Sequence, residues 1–199
     1  QSKEYRFIQE KNLELEMMRA KLQELALEND RLRGLLNFTK QTTFRTIPAR
    51  IIEKDPSLWR RTIIIDKGSV DGILPNMPVA SYAGLLGIVS DVAKTVSRII
   101  LVNDPNFRVS VFIQGTRDEG VLEGSTRGRC RVKYLPIETA AKTGDVVVTS
   151  GLGKIFPKGL LIGKVIATGK ESLGLYTYAD VQLAVDTDHL EEVLCIKEQ

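Results

Sequence analysis

GILPNMPVASYAGLLGIVSDV at residues 72–92 and KIFPKGLLIGKVIATG at 154–169 carry the same pattern twice. Each has an apolar residue before proline, then Gly-x-Val, and each runs on to a strand-like stretch ending in aspartate, IILVND (99–104) and VQLAVD (181–186). Pro75 matches Pro157, Gly87 matches Gly163, and Asp104 matches Asp186. The outer pairs are offset by 82 residues and the middle pair by 76, so a short length change separates them. Two copies of one β phrase predict two related small β units.

The surrounding sequence agrees. From Thr46 onward, short runs rich in Val, Ile and Thr are punctuated by Gly, Pro, Asn and Asp every ten residues or so. Candidate strands are Ile47–Glu53, Thr62–Lys67, Gly87–Val92, Arg98–Val102, Val109–Ile113, Gly120–Glu123, Arg129–Tyr134, Asp145–Thr149, Leu161–Ala167, Tyr178–Val185 and Val193–Lys197. No helical stretch of ten residues separates them, which excludes βαβ units and predicts sandwiches or barrels. The expected division is 38–115 for a first β-barrel subdomain and 116–199 for a second, with the first able to borrow strands from the C-terminal part.

Residues 1–37 differ. They hold no proline and one glycine, Gly34, against seven prolines and fifteen glycines in the remainder. Ile8, Leu15, Leu22, Asn29 and Leu36 fall at a positions of a heptad, and Lys11, Met18, Leu25 and Leu32 at d. In a parallel dimer, Glu14 would face Arg19 and Glu28 would face Arg33 of the second helix, while Asn29 would set a two-stranded register at some cost in stability. The competing reading packs this helix on its own globular domain.

Composition bounds the function. Of 199 residues, 43% are hydrophobic and 27% charged, so the chain can bury a core. A net charge of +3 is too mild to mark a nucleic-acid binder. Cys130 and Cys195 match no zinc spacing; a disulfide and two buried thiols are both open readings. No apolar run reaches the roughly 18 residues of a membrane span. The sequence begins inside a helix without an initiator methionine, which suggests that a preceding segment is missing.

Four segments in order resemble the MreC family of rod-shape-determining proteins: DPSLWRRTIIIDKGSVDGILPNMPV (55–79), GLLGIVSDV (84–92), SRIILVNDPNFRVSV (97–111) and GDVVVTSGLGKIFPKGLLIGKV (144–165), with ENDRLRGLL (28–36) leading in. The resemblance spans essentially the whole chain. It implies a single-pass protein of the cytoplasmic membrane whose coiled coil and two six-stranded barrels lie outside the cytoplasm. It further implies a scaffold of the elongation machinery (elongasome) that builds side-wall peptidoglycan and determines cell shape. Such a scaffold is expected to form a homodimer or filament through the coiled coil and through unpaired β edges. The implied partners are MreD, the actin-like MreB system, a class B penicillin-binding protein and a RodA-type glycosyltransferase.

The residues offer little chemistry. Ser150 in TSGLG, the single histidine His189, and Asp180 or Asp186 are the material for a serine hydrolase, but TSGLG lacks the G-x-S-x-G spacing. GLLIGK (159–164) has one residue too few for a phosphate loop and Val165 where Ser or Thr belongs. DKGSVDG (66–72) lacks calcium-loop spacing. No catalytic residue, cofactor or metal site is expected. Two docking candidates remain. Trp59 is either an exposed partner anchor or a barrel cap. Arg127, Arg129, Arg131 and Lys133 alternate, which places four cations on one face of a strand for an acidic partner, or makes an ordinary solvated face. A different class of function, a periplasmic adaptor of an envelope transport system, would carry two antiparallel helical arms.

Overall fold

The computed structural model describes residues 2–41, 44–57 and 59–197, with helix side chains from Tyr5 to Asn37. The chain divides into two compact units, residues 1–42 and 43–199.

The first unit is one helix, α1 (Ser2–Gln41), uninterrupted over 40 residues. At 1.5 Å per residue it is about 60 Å long. Gly34 lies within it without breaking it, since one glycine costs only about 1 kcal/mol. Ile8, Leu15, Met18, Leu22, Leu25, Leu32 and Leu36 are all exposed, as are the off-seam Leu13 and Leu27.

The second unit contains β1 (Arg45–Lys54), β2 (Thr62–Ile65), β3 (Pro78–Ser81), β4 (Gly84–Val92), β5 (Ser97–Leu101), β6 (Arg108–Ile113), β7 (Glu119–Gly124), β8 (Cys130–Leu135), β9 (Val146–Thr149), β10 (Leu161–Lys170), β11 (Thr177–Leu183) and β12 (Glu192–Lys197). They form two closed six-stranded barrels, ordered β1-β12-β3-β4-β5-β2 and β10-β11-β8-β7-β6-β9. Every pairing is antiparallel.

The barrels share one wiring scheme. Taking β1, β2, β3, β4 and β5 as counterparts of β7, β8, β9, β10 and β11, and β12 as the counterpart of β6, every neighbour relation of one barrel recurs in the other. Register matches in detail. Gly87 faces Leu101 and Gly163 faces Leu183, and the β4–β5 and β10–β11 ladders both slip two residues further on, after Val89 and Val165. Each slip is a bulge, the device that bends a ladder tightly enough to close a barrel. The matched glycines have a physical cause. A Cβ on Gly87 would sit 2.1 Å from the Ile100 carbonyl oxygen, and one on Gly163 would sit 2.0 Å from that of Gln182. Both strands therefore approach their neighbours as only glycine permits. The change of offset from 76 to 82 lies in the hairpin tips: Val92 pairs with Ser97, whereas Thr168 pairs with Ala179.

Alternate residues fill the interiors. Ile63, Ile65, Val79, Val89 and Ile99 are at most 1% exposed in the first barrel, as are Val111, Leu122, Val132, Val147 and Ile162 in the second. In β4 burial is continuous from Gly84 to Gly87 because its start also touches the other barrel. A Cβ on Gly84 would lie 2.4 Å from the Leu161 carbonyl oxygen.

Four expectations change. β6 pairs with β7 and β9, so the division at 115/116 cuts inside the second barrel; the chain crosses between barrels at residues 102–107 instead. β3 was missing from the candidate strands, because four residues hemmed in by Pro75, Pro78 and a tight turn are too short to show alternation. Pro75 and Pro157 are not equivalent: one precedes β3, the other follows β9. Assembly through unpaired β edges loses its basis, since a closed barrel pairs both edges of each strand.

Candidate functional site

Two connections link the barrels, residues 102–107 and 184–191. Each carries the aspartate of the repeated phrase as its third residue, and each aspartate closes the same local turn. Asp104 Oδ1 accepts the Asn106 N–H at 2.7 Å, and Asp186 Oδ1 accepts the Asp188 N–H at 3.0 Å. Asp104 is 1% exposed, and its Oδ2 also accepts the Arg61 backbone N–H at 2.6 Å. The connections meet where Asn103 Nδ2 donates to Thr187 Oγ1 at 3.1 Å.

Beside this crossing lies a cleft of about 820 Å³. Arg61 and Asn103 from the first barrel's side line it, with Arg127, Gly128 and Arg129 from the turn before β8. Gly128 has φ of +71°, and a Cβ there would sit 2.5 Å from Arg61 Cζ. The turn thus lies flat against the guanidinium. Arg61 Nε and Asn103 Oδ1 are both buried without a hydrogen-bond partner. The sequence points to Arg127 and Arg129 as docking candidates and to the repeated terminal aspartate, but it does not join them to Arg61, Asn103 and Thr187, because residues 61, 103, 127–129 and 187 share no local pattern.

The four alternating cations divide. Arg127 and Gly128 lie in the turn, since β8 starts at Cys130, and Arg127 and Arg129 form no ion pair among the described residues. Arg131 forks onto Asp180, Nε to Oδ1 at 2.7 Å and Nη2 to Oδ2 at 3.2 Å, with its guanidinium 3.8 Å from the centre of the Tyr178 ring. Lys133 Nζ lies 2.8 Å from Glu123 Oε2, and Arg108 Nε 2.9 Å from Glu123 Oε1. The hydrogen bond from Lys133, and then that from Arg108, hold the Glu123 carboxyl below its usual range. The single cationic face is therefore corrected to two free arginines and two neutralised cations, because strands on either side of β8 supply carboxylates invisible to a one-strand reading.

Trp59 is 76% exposed, beyond the turn in which Asp55 Oδ1 accepts the Ser57 N–H at 2.8 Å, and so caps neither barrel. In α1, Glu14 takes Lys11 of its own helix at 2.7 Å, and Arg19 lies 4.0 Å from Glu16. The hydrolase residues are engaged separately. Ser150 Oγ accepts the Leu152 N–H, Asp180 holds Arg131, and Asp186 Oδ2 meets His189 Nδ1 at 2.8 Å on an exposed turn. Hydrogen bonds from the Asp188 backbone and then from His189 hold the Asp186 carboxyl low. An imidazole open to water is poorly placed to be a tuned base. Cys130 and Cys195 are free, buried in different barrels, and burial pushes each thiol up to about 12. They are structural residues and poor nucleophiles. Among the described residues no group of three or more His, Cys, Asp or Glu side chains could hold a metal. No described helix is long and apolar enough to cross a membrane.

Known proteins give the same picture. The family description "Rod shape-determining protein MreC, barrel core" matches residues 51–197. The cell shape-determining protein MreC of Listeria monocytogenes is 31% identical over 98% of this chain and 68% of its own length. The solved Listeria MreC structure covers 96% of this chain and 93% of that one, with a TM-score of 0.73 at 31% identity. A complex between Penicillin-Binding Protein (PBP2) and MreC from Helicobacter pylori shares the fold, with a TM-score of 0.62 at 18% identity over 78% of this chain and all of that one. The chain spans about two thirds of its Listeria and Bacillus subtilis relatives and under half of the Escherichia coli one. It belongs to the MreC family of rod shape-determining proteins.

Proposed function

We propose that this chain is a non-catalytic scaffold of the bacterial elongation machinery, anchored to the cytoplasmic membrane by a preceding segment and working outside the cytoplasm. The observation that carries this reading is the contrast between filled barrels and an exposed apolar seam on the helix. The barrel interiors are packed with side chains at or near zero exposure, whereas the apolar seam of α1 is open along its length. A protein built this way acts through its surfaces, by holding partners at set positions and favouring one of their conformations.

The seam residues Ile8, Leu15, Met18, Leu22, Leu25, Asn29, Leu32 and Leu36 join two copies in a parallel coiled coil. Glu14 with Arg19 and Glu28 with Arg33 pair across it. The exposed Trp59 and the free Arg127 and Arg129 are docking candidates for peptidoglycan synthases. The Helicobacter complex makes a class B penicillin-binding protein the first partner to try; MreD, the MreB system and a RodA-type glycosyltransferase follow from family membership. The adaptor reading is disfavoured by α1, one continuous arm where two antiparallel ones are required.

Sedimentation equilibrium of residues 1–199 beside 38–199 tests the proposal. A dimer for the long form and a folded monomer for the short form support it. Replacing Leu22 and Leu25 with glutamate should abolish the dimer and leave β content unchanged; a dimer that survives rejects this seam.

A further inference from the structure

The inter-barrel cleft has the chemistry of a binding site. Three guanidiniums, Arg61, Arg127 and Arg129, line it, and none has a carboxylate partner among the described residues. This is unusual in its neighbourhood, where Arg108, Arg131 and Lys133 are each matched to an acid. Two buried polar atoms are also unmatched: Arg61 Nε, a donor, and Oδ1 of Asn103, an acceptor on a residue only 3% exposed. A buried polar atom without a partner is costly, and a ligand in the cleft accounts for both atoms together.

We propose that this cleft binds a carboxylate-bearing extended segment of a protein partner, with Arg61, Arg127 and Arg129 taking the carboxylates and Asn103 Oδ1 accepting a backbone N–H of the bound chain. Planar forked donors suit carboxylates, which they engage two bonds at a time. A phosphate or phospholipid headgroup would also satisfy arginines and carries hydroxyl donors, but it is a single compact anion set against three separate guanidiniums and Asn103 Oδ1. It would also meet Asp180, Asp186 and Asp188, which line the same cleft, with few donors to offer them. A peptide carries acceptors for the arginines and N–H donors for the acids and Asn103 alike. The volume, about 820 Å³, lies in the range of ligand pockets and exceeds what a small anion fills. Because the cleft flanks both crossings between the barrels, its occupant touches both barrels at once.

The proposal deepens the scaffold reading by assigning a partner chemistry to one surface, and its test reads binding directly, so failure would leave the seam and the dimer untouched. The whole chain is titrated with acetyl-Gly-Asp-Glu-Asp-Gly-amide, its Asn/Gln counterpart, inorganic phosphate, and phosphatidylglycerol vesicles. Calorimetry gives affinity; NMR follows the Arg61 Nε–H and the Asn103 side-chain amide. The acidic peptide should saturate below millimolar concentration and shift both signals, and the Asn/Gln peptide should bind at least tenfold more weakly. Arg127→Ser with Arg129→Ser, two exposed positions that the fold does not need, should weaken binding tenfold or more. Arg108→Gln, which removes an arginine already matched to Glu123, should change it less than twofold. Phosphate binding as tightly with the same shifts would reduce the cleft to an adventitious anion site. Vesicle capture that depends on Arg127 and Arg129 would reassign it to lipid. No saturation by the peptide, or an equal loss in Arg108→Gln, would overturn the proposal.

Discussion

In the first barrel β12 arrives after every other strand of both barrels has been made; its counterpart β6 is the first strand of the second barrel. The pairing schemes are otherwise the same, so the two differ by a circular permutation, with the contiguous barrel inserted between β5 and β12 of the interrupted one. Arg45 pairs with Lys197 across 152 positions, whereas Val111 pairs with Thr149 across 38. A fourfold longer loop costs about 1.2 kcal/mol more to close. Folding the second barrel first removes that penalty, since it brings residues 107 and 184 together and returns the chain beside its starting point. The comparison teaches that one wiring scheme tolerates either entry point, and that the interrupted barrel depends on the contiguous one without the reverse.

Removing β12 should break the comparison most severely. A chain ending at Glu191 leaves β1 and β3 without their shared neighbour and exposes Ala80 and Val79, now at zero exposure. We expect the first barrel to lose its dispersed NMR spectrum while residues 105–190 alone keep theirs. Loss of both spectra would show that the second barrel is not autonomous.

The matched glycines test whether equivalence extends to energy. Gly87→Ala and Gly163→Ala each force a methyl group against a carbonyl oxygen, at 2.1 Å and 2.0 Å. Each should cost about 3 kcal/mol, the upper part of the range for overpacking. Denaturant unfolding should show similar losses, with Gly87→Ala loosening the first barrel alone. A loss below about 1 kcal/mol at either site would mean that the strands separate easily there.

Ion pairing tests the comparison at the barrel surface. Glu123, its side chain 14% exposed, stands between Arg108 and Lys133. Glu123→Gln should cost about 2 kcal/mol at pH 7, as for hydrogen bonds to a charged group. The sign of its pH dependence follows from the depressed folded-state value. The carboxylate's contribution is complete above the unfolded glutamate value of about 4.3 and disappears as pH falls through the lower folded value. Melting curves of the variant and the parent should therefore converge below about pH 4. A gap that persists at pH 2 would assign the effect to packing.

Legibility followed the range of the interactions. The repeated Gly-x-Val and the terminal aspartates were readable because a glycine floor and an Asx turn are local demands on one residue type. The closure by β12 was not, since nothing near Val193 or Cys195 records that their strand partners lie at Ala49 and Val79. The cleft failed for the same reason: Arg61, Asn103 and Arg129 acquire meaning only once the crossings meet. Alternation along β8 buries Cys130 and Val132 but says nothing of which outward cations find acids. Asp180 and Glu123, which neutralise Arg131 and Lys133, arrive from the strands on either side.

The smallest effect comes from the first barrel, where the β4–β5 ladder differs in charge from its β10–β11 counterpart. Arg98 Nη1 lies 3.3 Å from Asp91 Oδ2 across the β4–β5 ladder, immediately past the bulge. At the matching place in the second barrel, Ala167 faces Asp180, so no ion pair forms there among the described residues and Asp180 turns to Arg131 on β8 instead. The Arg98 and Asp91 side chains are 50% and 68% exposed, which leaves water to screen them. Asp91→Asn should therefore change stability by less than about 0.5 kcal/mol and show no dependence on salt beyond that of the parent. The same substitution at Asp180 removes a forked pair stacked on Tyr178 and should cost several times more. Equal losses at the two sites would mean that the fork and the ring add nothing, and that the two barrels are as alike in their charges as in their wiring.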